Sequence, residues 1–247
     1  MFRHLLTVAA TAALFQPGST QQYQNSTTES VKLHWINGSA PSYSSGTTFG
    51  LPWARGRHFP NNTVFGLSDL QSWVTAYWND GSIKWTGHAV PAEGTIPDGY
   101  IVTASPGSGS SAQAAGLKTS ESTEGVTVDT GKIQVSFPKT GNSVIGELKT
   151  SSGKVVGQNG KLVLHSQSGV SNDIGSRGNA SIEYFNFESN IDNVTVSENS
   201  LTRTLVTVRG KHHVAEGGSH ADWLPFVLRF YLYANSDAIR LIHTFIF

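Results

Sequence analysis

SWVTAYWNDGSIKWTGHAV, Ser72 to Val90, decides the fold class. Two runs of alternating, aromatic-rich residues flank Asp80-Gly81, a pair that favours a tight hairpin turn because both positions tolerate positive φ. A two-residue loop there predicts three pairs on one apolar face: Trp78 with Ile83, Ala76 with Trp85, and Val74 with Gly87. The opposite face then carries Tyr77 beside Lys84, Thr75 beside Thr86, and Trp73 beside His88. That second face is aromatic, cationic and hydrogen-bonding, and is expected to be wet.

The same period of two recurs outward from this hairpin. VKLHWI (Val31–Ile36) reads as the first strand. ASPGSGSSAQAAG (Ala104–Gly116) is small, polar and non-periodic, so it reads as a linker. Beyond it come GVTVDTG, KIQVSFPKTG, SVIGELKTSSG, KLVLHSQSG, ASIEYFNF, NVTV and LTRTLVTVRG. Short strands between turn signals, with no sustained helical period, predict an antiparallel sandwich. The expected organisation is a first domain over 30–104, a linker over 105–116, and a second domain over 117–247.

FVLRFYLY and AIRLIHTFIF flank a four-residue loop, Ala234–Asp237. Pairing Tyr233 with Ala238 puts Leu232/Ile239, Phe230/Leu241, Leu228/His243 and Phe226/Phe245 on one face. Tyr231/Arg240 and Arg229/Ile242 fall on the other. The last strand has a partner on one side, and its other edge is long, apolar and unblunted, which natural proteins avoid. The expectation is that the sandwich is incomplete and a covering element is missing from this chain.

Lys+Arg and Asp+Glu both total 17, so formal net charge is zero. Nucleic-acid and anionic-membrane surfaces need a basic surplus, and neither is an expected partner. Residues 1–20 read as a secretory signal peptide: Arg3 and His4, then an apolar run from Leu5 to Phe15 too short to span a bilayer. A polar leader follows over 21–29. Sequons at Asn25, Asn37, Asn61, Asn179 and Asn193 fit a glycosylated, secreted, extracellular product. With no cysteine there is neither a thiol nucleophile nor a thiolate metal site.

Three stretches carry candidate chemistry. LPWARGRHFPNN (Leu51–Asn62) packs Trp53, Arg55, Arg57, His58 and Phe59 between prolines. It reads either as a sugar-acid contact, with aromatic stacking and Arg forking a uronate, or as a rigid turn in which the arginines cap carbonyls. KHHVAEGGSHADW holds His212, His213, Glu216, His220 and Asp222. A metal site there is opposed by strand geometry, which sends adjacent histidines to opposite faces, so a hairpin loop with two surface histidines is the plainer reading. His243, among apolar neighbours, is either a hydrogen-bonded core residue or a desolvated neutral base. No metal or other cofactor is expected, with calcium left open.

GLPWARGRHFPNNTVFGLSDLQSWVTAYWNDGSIKWTGHAV resembles the N-terminal part of the exo-rhamnogalacturonan lyases, polysaccharide lyase family 26. The shared marks are Pro-Trp-x-Arg-Gly, Leu-x-x-Leu-Gln-Ser and Tyr-Trp-x-Asp-Gly-Ser-Ile-Lys-Trp, then VDTGKIQVSFPKTGNSVI, W-x-P-F-V-x-R-x-Y-x-Y and IRLIHTF. The resemblance implies a small RIFT-type β-barrel, a central β-sandwich, and a large toroid that this sequence lacks. It also implies cleavage of rhamnogalacturonan I by β-elimination.

That reaction needs a base for the C5 proton, positive charge on the C6 carboxylate, and an acid for the departing O4. His243, His213, Arg229 and Arg240 are the catalytic candidates, with His243 favoured as base or acid and the arginines as charge neutralisers. Trp53, Arg55, His58, Trp73, Tyr77, Lys84 and His88 are the substrate-binding candidates. The expected function is the N-terminal portion of a secreted pectin-degrading lyase, inactive alone. The alternatives are a non-catalytic module for acidic plant polysaccharide and an aggregating remnant.

Overall fold

The computed structural model describes residues 27–67, 69–108, 116–169, 182–215 and 220–246. Every regular element among them is a β-strand. The expected signal peptide, Asn25, Asn179 and Glu216 lie outside the described residues.

The N-terminal domain is two three-stranded antiparallel sheets. One orders β1 (Glu29–His34), β6 (Gly99–Pro106) and β3 (Thr63–Gly66); the other orders β2 (Thr47–Pro52), β5 (Ile83–Val90) and β4 (Gln71–Tyr77). Leu51, Trp53, Phe65, Leu70, Ile83 and Val102 are buried between them. Strand β6 continues through Pro106, so the first residues expected in the linker are sheet, and Ala104 is in the core.

The β4–β5 hairpin forms where the sequence marks it, with a longer turn. Trp78 N–H donates to Ser82 O at 2.8 Å, and Gly81, at φ 80°, donates to Trp78 O at 2.9 Å. The cause is Asp80, whose Oδ1 accepts both the Ser82 amide (3.0 Å) and its hydroxyl (2.6 Å). An irregularity at Lys84 then restores the expected Ala76–Trp85 pair after Tyr77–Ile83, and a bulge at Thr75 shifts the register again, so that Trp73 pairs with Gly87. Turn and bulge together rotate the faces. Trp85, expected inside, is 41% exposed, whereas Thr86 and His88, expected outside, are buried.

Two five-stranded antiparallel sheets form the second domain. The first is a meander of β7 (Lys118–Glu121), β8 (Gly125–Asp129), β9 (Ile133–Pro138), β10 (Ile145–Thr150) and β11 (Val155–Gly160). The second is β12 (Val163–Gln167), β13 (Tyr184–Ser197), β14 (Arg203–Val214), β15 (Trp223–Tyr233) and β16 (Arg240–Phe245), in chain order. Their facing sides meet in one core, with Phe137 against Phe230 at 4.9 Å between centroids. The segments read as ASIEYFNF and NVTV are parts of one long strand, β13, bent by a bulge at Asp192. The β15–β16 register is the expected one, and Leu241 and Phe245 at that edge are about half exposed.

Arg203, at the start of β14, joins the domains. Only 4% exposed, it ion-pairs with Glu198 and donates from Nη1 to Thr48 Oγ1 at 2.9 Å. Its guanidinium stacks over the ring of Trp73 from the barrel (4.5 Å) and lies near Tyr231 (5.4 Å). Around it Thr48 meets the Tyr233 hydroxyl (2.6 Å), Ser200 donates to Gln71 (2.6 Å), and Thr202 donates to Asp69 O (2.7 Å).

Gly46, at φ 104°, lies against this junction, where a Cβ would collide with the Tyr233 ring. Gly46→Ala is expected to cost about 2–4 kcal/mol, from overpacking plus backbone strain. Gly38→Ala, at φ 78° with nothing within 4 Å, should cost only about 1–2 kcal/mol. Chemical denaturation of both variants checks this, and equal losses would contradict it.

Candidate functional site

The clearest chemical pattern lies on the solvent side of β14. Strand alternation buries Val208, Gly210 and His212 and turns Arg209, Lys211 and His213 outward, about 7 Å apart along the strand. Neighbouring strands add Arg229 and Arg240 to the same face, because Arg229 pairs with Thr207 and Ile242, and Arg240 pairs with Tyr231.

Among the described residues none of these four cations has a carboxylate partner. Arg229 donates only to Thr244 Oγ1 at 3.4 Å, and Arg240 stands over the Tyr231 ring at 5.5 Å. Among the described residues, the acids on the adjoining segments are Glu188, taken up by Lys161 (2.8 Å) and Asn142 (2.9 Å), Asp222, and Asp192 in the β13 bulge.

His213 ends the row. Its Nδ1 meets Asp222 Oδ1 at 2.6 Å. A carboxylate accepts only, so Nδ1 carries a proton, and in the neutral ring Nε2 is the lone-pair nitrogen. The Asp222–His213 pair is thus an oriented base next to Lys211, on an open surface where the imidazole is 61% exposed.

The histidine stretch therefore resolves into two environments. His212, expected at the surface in the plainer reading, is buried and bonded to Leu224 O (2.7 Å) because β14 runs on through Val214. His220 packs against Phe185, Phe187 and Trp223. The described residues hold no group of three or more acidic or histidine side chains able to bind a metal.

His243 does not join this row. It pairs with Leu228, so it points to the core side of the sheet, at the open edge and edge-on to Phe245. Partial burial, and then the nearby His212, lower its pKa. It cannot share a substrate carboxylate with Arg229 or Arg240, which project from the other face. His213 shares their face but lies six residues beyond the Arg229 partner Thr207, roughly 20 Å along the strand. The four expected catalytic residues thus do not form one cluster; Arg209 and Lys211 take the place of the arginines beside His213. The alternation R-G-K-H-H was the signal that marks them.

Two family models match this chain. Residues 29–105 match the PcRGLX-like N-terminal RIFT barrel domain, and residues 117–247 match the PcRGLX-like protein central beta sandwich domain. The chain belongs to the PcRGLX-like family. This is a rhamnogalacturonan lyase-like family, and the matches agree with the barrel and sandwich seen here. A curated relative, "Uncharacterized protein YetA" of Bacillus subtilis (strain 168), is 28% identical over 223 residues, covering 86% of this chain. The match takes up 24% of that protein, so the PcRGLX-like chain spans about a quarter of its relative's length.

The PcRGLX-like barrel uses most of its expected sugar-binding residues internally. Trp53 and His58 are buried edge-to-face at 4.7 Å, and His58 Nε2 lies 3.2 Å from Glu29. Arg55 pairs with Asp80 (3.0 Å), so the 51–62 loop is tied to the hairpin turn rather than capping carbonyls. Trp73 lies under Arg203 in the domain junction. Tyr77, with Lys84 over the Trp78 ring at 4.6 Å and the exposed Trp85, remains at the surface. Asn37, Asn61 and Asn193 are exposed, as glycan acceptors must be.

His88 lies wholly inside, in a chain of hydrogen bonds: Trp53 Nε1–H donates to Thr86 Oγ1 (2.8 Å), which contacts His88 Nε2 (2.6 Å), and His88 Nδ1 meets Ser72 Oγ (2.9 Å). Phe49 stacks on one side of the ring and Phe65 meets it edge-on. Burial lowers its pKa to about 4. Since the unfolded imidazole binds a proton near 6.5, the folded state resists protonation and loses stability as pH falls from 6.5 to 4. This one group should remove about 3 kcal/mol across that window. His88 should stay neutral by NMR at pH 5.5; a charged ring there would contradict the buried network.

Proposed function

We propose that this chain is the barrel-and-sandwich portion of a secreted, pectin-degrading polysaccharide lyase of family 26, acting on rhamnogalacturonan by β-elimination. Its own part is to contact the acidic sugar through the outer face of β14–β16. One observation carries this reading: Arg209, Lys211, Arg229 and Arg240 share a face without carboxylate partners among the described residues, in a chain whose total charge is zero. An uncompensated cationic face on a neutral protein attracts a polyanion, and guanidinium groups match a uronate carboxylate in shape.

In the reaction, Lys211 or Arg209 would neutralise the C6 carboxylate and so acidify the C5 proton. His213, oriented by Asp222, would accept that proton at Nε2. The elimination forms the C4–C5 double bond as O4 departs with a proton from an acid. The exposure of His213 favours a second reading, in which the same face binds the polysaccharide without cleaving it. An elimination needs its groups to converge in a sheltered cleft, and this face is open.

Calorimetry of the protein against rhamnogalacturonan oligosaccharides tests the reading. Binding should be salt-sensitive and weakened at least tenfold in the Arg209→Ala/Lys211→Ala double variant. No unsaturated uronate should appear in the ultraviolet with this chain alone. An N-glycan on Asn193, directly across from Arg209, would cover the row, so Asn193→Gln should bind at least as well. Affinity unchanged in the double variant would remove this face from the site. Unsaturated product lost in His213→Gln would make this chain a complete lyase.

A further inference from the structure

A cleft of about 540 Å³ lies between barrel and sandwich, on the opposite side of the Arg203 junction from the β14 row's free end. Four loops build it. Residues 42–44 and 92–96 come from the barrel; Lys132 and residues 235–237 come from the sandwich. Its sandwich wall is held rigidly. Thr130, fully buried, donates its hydroxyl to Ser236 O at 2.6 Å, and its carbonyl accepts Asn235 N–H at 2.7 Å. Asn235 sits at φ 61°, a conformation that asparagine tolerates. The barrel wall is tied to it by Ala92 N–H donating to Ala234 O (3.0 Å) and by the Tyr43 hydroxyl donating to Asp237 Oδ1 (3.0 Å).

The polar groups in this cleft alternate in kind. Lys132 and the Asn235 amide are donors with no hydrogen-bond partner among the described residues, whereas Glu93 and Asp237 are acceptors, each with an oxygen to spare. Tyr43, more than half exposed, supplies a ring at the mouth, and Ile96 an apolar patch. Two carboxylates against one ammonium repel a polyanion, so a uronate is the wrong occupant. Alternating donors and acceptors beside an aromatic ring suit a molecule that is uncharged, dense in hydroxyls and apolar on one face.

We propose that this interdomain cleft binds a neutral sugar residue or short neutral oligosaccharide, at a site separate from the cationic face. The volume lies within the range of small-ligand pockets. Asp237 and Glu93 accept from vicinal hydroxyls, Lys132 and Asn235 donate to ring or hydroxyl oxygens, and Tyr43 stacks on the sugar's apolar face. The two domains supply opposite walls, so the site exists only while the Arg203 junction holds.

The test is an NMR and calorimetric titration of the whole chain with a neutral galactose trisaccharide and, separately, a galacturonate trisaccharide. The neutral trisaccharide should shift Lys132, Asn235 and Tyr43 signals. Asp237→Asn and Lys132→Met should each weaken it at least fivefold with unchanged Tm. The galacturonate trisaccharide should be insensitive to both. No saturable shift at the cleft with the neutral sugar, or affinity unchanged in both variants, would overturn the proposal. If Asp237→Asn lowers Tm, Lys132→Met, on an exposed turn, decides alone. Failure of acidic binding in Arg209→Ala/Lys211→Ala bears only on the β14 face, so the two proposals fail separately.

Discussion

A guanidinium removed from water between two β-domains constrains everything else in this molecule. Burying a cation is unfavourable unless it is paired, and Arg203 is held by Glu198, the Thr48 hydroxyl and the face of Trp73. Two of those partners belong to the barrel and one to the sandwich. Its satisfaction therefore requires the domains to meet in one orientation, and separation would leave a charge half-solvated beside an unstacked indole. The junction is polar and mutually dependent rather than greasy, which gives it specificity.

From that junction the functional surfaces follow. The strand that begins with Arg203 carries His213 ten residues on, so one β-strand links the buried clamp to the exposed row. The same sheet's β15–β16 turn is pressed against the barrel through Tyr233 and Ala234, and this places Asn235 and Asp237 opposite Tyr43 and Glu93. A cationic face for acidic sugar and a mixed-charge cleft for neutral sugar thus share one scaffold. They differ because, among the described residues, the β14–β16 cations have no carboxylate partner, whereas Lys132 shares its cleft with Glu93 and Asp237.

Period-two patterns made the strands legible, and the β15–β16 register was readable to the residue, because an apolar face and a short loop allow one alignment. The β4–β5 hairpin was half legible. Aromatic alternation located it, but the capture of Ser82 by Asp80 and the bulge at Thr75 depend on local bonds that periodicity does not encode. Edge strand β11, VVGQNG, has no alternation to find. The site divided likewise. Arg209, Lys211 and His213 stand at every second position and could have been found, whereas the roles of Trp73 and Arg203 arise from chain segments far apart in sequence. Trp53, His58 and His88 looked like surface chemistry because aromatic and imidazole groups serve equally well in a small barrel's interior, where neighbours complete their hydrogen bonds.

Arg203 makes barrel and sandwich one cooperative body. Calorimetric unfolding of the native protein beside Arg203→Met tests it most directly. A single native transition that splits in two in the variant, with each domain melting alone, is the predicted result. Two transitions already present in the native protein, or a variant that melts in one step at an unchanged Tm, would contradict it.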